Sequence, residues 1–206
     1  MIFKFNNQKY CFIHIPKTGG TYIEIYILKH IYGEDTINLN NWRSFMNKHL
    51  YTDIKNNNSY HIPYQCGGID NPESYQFFSV IRDPIEVRMS AYNWLVKTKN
   101  YTKSFQEYMN EDYLILPTDN ISRCSTFGLS QKEYVKGSNA KIFLYEDFDK
   151  LLDYIDNIFH KPLPRFNKIN TSESNISIVD TSIQHKIKSI FEEDYLLIRQ
   201  IKSSLD

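Results

Sequence analysis

The stretch KYCFIHIPKTGGT, residues 9–21, decides how the chain is read. Residues 9–15 (KYCFIHI) are a short β-branched and aromatic run, the pattern of a strand. Pro16 and the turn Lys17-Thr18-Gly19-Gly20 break it. Ile23, Tyr26, Ile27 and Ile31 then recur at helical spacing, and Gly33 is placed to end the helix as its C′ residue. The unit is strand, glycine-containing loop, helix. A helix start exposes unpaired N–H groups and the positive end of the peptide dipole, so this loop is suited to phosphate or sulfate. Gly19 and Gly20 let the backbone approach an anion, Thr18 and Thr21 can donate hydroxyl hydrogen bonds, and Lys17 adds a full charge. A Walker A motif does not fit: it places lysine after its second glycine, whereas Lys17 precedes both and no Gly-Lys-Ser/Thr occurs anywhere. The plain alternative is an ordinary strand-to-helix turn with incidental Lys and Thr.

Outward from this unit, the same pattern repeats. Residues 76–81 (QFFSVI) read as a second strand, Asp83 is placed to cap the next helix, and Pro84 opens it on a run to about residue 97. Residues 140–145 (AKIFLY) read as a third strand before a helix over 147–159. Pro162 and Pro164 mark a loop, and 181–203 reads as one long terminal helix. Residues 34–72 are polar and asparagine-dotted with weak periodicity. Three β-then-α units imply parallel strands with helical crossovers, hence an α/β fold. The length of 206 residues suits a single domain over 1–206.

Composition narrows the partners. With 41% apolar and 15% aromatic residues the chain is globular in character. Twenty-four basic residues against 24 acidic ones argue against a bulk grip on nucleic acid or anionic lipid. Cys11, Cys66 and Cys124 form no CxxC pair and no disulfide framework, which points to a reducing compartment and no structural zinc. Lys4, Asn6, Asn7, Gln8 and Lys9 interrupt the N-terminus before an apolar run reaches signal-peptide length. The longest apolar-leaning stretch, 22–32, carries Glu24, Lys29 and His30 and is too short for a bilayer. The expectations are a cytoplasmic location, no membrane insertion and no nucleic-acid partner.

A second cation stands where the second strand ends. Arg82 offers a planar five-donor fork suited to phosphate, and Ser90 lies roughly 12 Å further along the helix axis. Both can reach one phosphate if the helix packs back across the strand ends. Otherwise Arg82 pairs with Asp83 or a nearby carboxylate, and Ser90 merely packs.

Together, IPKTGGT (15–21) and RDPIEVRMSAY (82–92) resemble the sulfotransferase superfamily, most closely its carbohydrate O-sulfotransferase-like branch. That family has a 5′-phosphosulfate loop reading like IPKTGGT and a 3′-phosphate motif reading like RDPxxRxxSxY. The second motif matches at Arg82, Asp83, Pro84, Ser90 and Tyr92. Its internal arginine stands at Arg88, one position late, with Val87 in the usual place, a rotation of about 100° on a helix. Weaker likenesses are YHIPY at 60–64, YEDF at 145–148, LPRFNK at 163–168 and EEDYLLI around Tyr195.

The resemblance implies a P-loop-like three-layer fold with a central, mostly parallel sheet flanked by helices. It implies 3′-phosphoadenosine 5′-phosphosulfate (PAPS) as donor and adenosine 3′,5′-bisphosphate as product. Lys17, Thr18, Gly19, Gly20, Thr21 and Tyr22 would surround the 5′-phosphosulfate, and Arg82 and Ser90 the 3′-phosphate. Lys168 and Thr171 would close over the nucleotide. Two anion sites at two strand ends suit a donor with two anionic ends. Lys17 would stabilise the leaving oxygen without a metal. His61 is the candidate base for an acceptor hydroxyl, a saccharide by family likeness, with His49 in reserve. His14 is expected to be a hydrogen-bonded core residue. Arg123 could support either the donor or the acceptor groove, and Trp42, Trp94 and the sixteen tyrosines could line a sugar-binding cleft by stacking or, as is commoner, belong to the core, with no role assigned to any one of them. The other readings are an ATP-dependent small-molecule kinase of P-loop type and a catalytically inactive nucleotide- or partner-binding module.

Overall fold

The structure is a computed structural model that describes residues 1–49, 69, 71–112, 128–166 and 179–204. It opens with a hairpin the periodicity does not announce. Strand β1 (Ile2–Phe5) pairs antiparallel with β2 (Gln8–Ile13), Ile2 facing Cys11 and Phe5 facing Gln8. The two turn residues, Asn6 and Asn7, both take left-handed φ values of 47° and 65°. That is the two-residue turn whose twist matches a hairpin, and asparagine tolerates it well.

Strand β3 (Tyr75–Ile81) runs parallel to β2, and β4 (Lys141–Leu144) runs parallel to β3. The sheet order is β1-β2-β3-β4. The expected α/β architecture with a mostly parallel open sheet is thus present. Alternation along the strands builds two layers of core. Tyr10, Phe12, Phe78, Val80 and Phe143 pack with helices α1 (Gly20–Tyr32), α2 (Trp42–His49) and α6 (Phe148–Phe159). Cys11, Ile13, Phe77, Ile81 and Leu144 pack with α5 (Gln131–Val135) and α8 (Glu192–Ser203). Helices therefore cover both faces, as buried parallel strands require. A third cluster joins Leu95 of α3 (Pro84–Lys99) to Met109, just beyond the short α4 (Phe105–Glu107), and to Ile183 and Ile187 of α7 (Thr181–Ile190).

Helix ends follow the sequence signals. Gly33 closes α1 at φ 99° and donates to Lys29 O, and Pro84 starts α3 behind Asp83, whose carboxylate accepts from the N–H groups of Ile85 and Glu86. The terminal helix expected over 181–203 is instead two, broken at Phe191. Phe191 is buried in the third cluster, while Leu197, Ile198 and Ile201 pack on the sheet. One straight helix cannot serve both surfaces, so the chain turns between them. Within the weakly periodic segment 34–72, α2 buries Trp42 and Met46 beside α1. Among the described residues, no helix is long and apolar enough to cross a membrane.

Candidate functional site

The carboxyl ends of the three parallel strands each deliver one part of a cluster: the loop after β2, Arg82 after β3, and Tyr145 after β4. This edge is where open α/β sheets bind ligands. The loop makes its turn in two left-handed residues, Lys17 at φ 68° and Gly19 at φ 87°. Glycine adopts that conformation freely, whereas lysine there is strained. The loop is closed from within, because the fully buried Thr18 donates its hydroxyl to Ile15 O at 2.8 Å. The Thr18 hydroxyl hydrogen is therefore engaged within the loop rather than offered to an anion. Helix α1 starts with no side-chain cap and no acidic residue in its first turn, leaving the positive dipole end uncompensated by side chains.

Gly20 has a second reason to be glycine. A Cβ there would lie 2.0 Å from Nε2 of His14. His14 and Glu24 are both buried, with Nδ1 and Oε1 2.7 Å apart, so the imidazole is wedged beneath the first turn of α1. His14 is the hydrogen-bonded core residue expected of it. The hydroxyl of Tyr22, expected at the donor, is engaged with the main chain of Phe166: it donates to Phe166 O at 3.0 Å and accepts from Phe166 N at 3.1 Å. The two rings stack at 4.0 Å. Tyr22 thereby fastens the loop after Pro164 to α1. Next to it, Asp156 accepts from the Tyr26 hydroxyl at 2.7 Å and from Arg165 Nη1 at 2.8 Å, and lies 2.9 Å from His30 Nε2.

Arg82 joins the two motifs. Its peptide is held on both sides by the buried Gln131, whose Oε1 accepts from Arg82 N at 2.8 Å and whose Nε2 donates to Arg82 O at 2.7 Å. Its guanidinium lies 4.3 Å over the Tyr145 ring, donates Nε to Glu86 at 2.7 Å, and directs Nη1 at Lys17 O, 3.4 Å away. The sequence set two cationic motifs apart; in the structure they adjoin, because Arg82 reaches the loop itself. The alternative of a carboxylate partner is also realised, in Glu86 rather than Asp83. On α3, Glu86, Ser90 and Trp94 follow at spacings of four and so share a face. Trp94 ends that face under Lys17, with Nζ 5.9 Å from the ring centroid. Ser90 is half-buried between a residue that touches Arg82 and one that touches Lys17.

Burial first, and then the Arg82 charge, lower the Lys17 pKa to about 8. Two cations thus lie close together with one paired carboxylate, an arrangement that can accept an anion. Arg88 points elsewhere: it is buried with its guanidinium 4.5 Å over the Phe191 ring. Its displacement by one position makes it part of the contact between α3 and the C-terminal helices. Thr21 is half-buried in the first turn of α1.

His61, Lys168, Thr171 and Arg123 lie outside the described residues, and of His49 only the backbone, in α2, is described. Trp94, Tyr145, Glu86 and Gln131 are site residues that the sequence reading did not assign. Glu86 had a signal, its spacing of four from Arg82; Gln131 had none. Comparison with protein-family models, with curated proteins and with solved structures gives no match.

Proposed function

We propose that the chain is a PAPS-dependent sulfotransferase that moves a sulfuryl group to an acceptor hydroxyl, on a P-loop-like three-layer α/β frame. The observation that carries this reading is Arg82 reaching the Lys17 loop at the carboxyl ends of parallel strands, which makes one cationic cluster from the two motifs. A donor with a 5′-phosphosulfate and a 3′-phosphate gives both cations a partner. In the transfer, the bond from sulfur to the phosphate oxygen breaks as the bond to the acceptor oxygen forms. Lys17 meets the charge that develops on the leaving oxygen. Arg82, with Ser90 on the adjoining helix face, takes the 3′-phosphate, and His61 remains the candidate base for the acceptor proton. The acceptor is proposed to be a saccharide, on family likeness.

A thermal-shift titration with adenosine 3′,5′-bisphosphate tests the reading. At about 100 times Kd a ligand adds about 2.7 kcal/mol of stability, so a clear rise in Tm is expected. No rise at millimolar bisphosphate, or a rise only with ATP and Mg²⁺, contradicts it.

A further inference from the structure

Glu86 occupies the partner position that the Arg82 cluster would give to a ligand. Its carboxylate takes the shortest hydrogen bond the Arg82 guanidinium makes, 2.7 Å from Nε, while among the described residues Nη1 has the long contact to Lys17 O at 3.4 Å. Glu86 is half-exposed, with 53% of its side chain open, and Arg82 keeps 22%. The guanidinium is thus partly open to solvent yet already paired with a carboxylate four residues on. Neither the helix start nor the Arg82 main chain relies on this pair: Asp83 caps α3, and Gln131 holds the Arg82 peptide. An exposed pair four residues apart contributes little to stability.

We infer that Glu86 is an affinity-setting residue, a built-in carboxylate that competes with the ligand phosphate for Arg82 and so speeds release of the bisphosphate product. This rests on the sulfotransferase reading above. A phosphate arriving at Arg82 meets a guanidinium whose charge is partly cancelled and a like charge beside it. Both effects weaken the grip, and among variants of one site affinity differences fall mostly in koff.

Calorimetric titration of wild type, Glu86→Gln and Glu86→Ala with adenosine 3′,5′-bisphosphate, and separately with adenosine 5′-phosphate, tests this. Both variants should bind the bisphosphate roughly three- to tenfold more tightly than wild type, with slower release, and tighten on the 5′-monophosphate by clearly less. Unchanged or weaker bisphosphate binding in both variants, with wild type still binding, overturns the role of Glu86 and leaves the sulfotransferase reading standing. Equal tightening for both nucleotides also overturns it, because the carboxylate would then act on the nucleotide at large rather than on the phosphate at Arg82. Failure of wild type to bind the bisphosphate at all overturns both.

Discussion

At the scale of single residues, Lys17 and Gly20 shape the loop after β2 most directly. Lys17 is charged only below its lowered pKa of about 8, set by burial and then by Arg82. Bisphosphate affinity should therefore stay flat from about pH 6.5 to 7.5 and fall as pH rises through 8, since the neutral amine offers no charge. Titrations across this range should show the fall in wild type and lose it in Lys17→Ala; a fall that persists in the variant assigns it to another group. Gly20→Ala would press a methyl group into His14, which Glu24 holds in place. A cost of about 1–3 kcal/mol is expected from urea unfolding, and the same substitution in a His14→Ala background should cost little. Equal costs in both backgrounds would mean that the imidazole is not the obstacle. The sequence carried Lys17 and the glycines openly, because charge and absence of a side chain are local properties. It did not carry the orientation of Tyr22 or the engagement of the Thr18 hydroxyl, which depend on Phe166, far along the chain, and on the Ile15 carbonyl in the folded turn.

Among elements, the strands and helices nearest the site were the legible ones. Strand β3, the Asp83 cap and α3 follow from an apolar run, a capping residue and a proline in immediate succession. The β1 hairpin was hidden because its turn residues are two asparagines in a polar N-terminal stretch, and the break at Phe191 because helical periodicity continues on both sides of it. The residue that sets the Arg82 end of β3 is Gln131, at the start of α5, and α5 is fixed in turn by the buried Asp194 of α8, which accepts from Lys132 N at 2.9 Å. Gln131→Leu leaves an N–H and a carbonyl of Arg82 without their partner. It should lower stability by about 1–3 kcal/mol in urea, with an unchanged m-value, and weaken bisphosphate binding through misplacement of Arg82. Full stability with full affinity would show that this clamp is dispensable.

For the whole molecule, a mostly parallel sheet with helices on both faces places three strand ends together, and two motifs about 65 residues apart in sequence become one cluster through a single side chain. That closure was not readable in advance, because i-to-j distance across a crossover is set by packing rather than by spacing. The central claim is that one nucleotide joins both halves of this cluster, with a phosphate group on each. The most direct measurement compares the affinities of adenosine 3′,5′-bisphosphate, adenosine 3′-phosphate and adenosine 5′-phosphate for the wild-type protein under one buffer and salt condition. The account predicts that the bisphosphate binds at least about tenfold more tightly than either monophosphate, a gap of about 1.4 kcal/mol, as expected when both cations are used. Equal affinities for the bisphosphate and either monophosphate would contradict it.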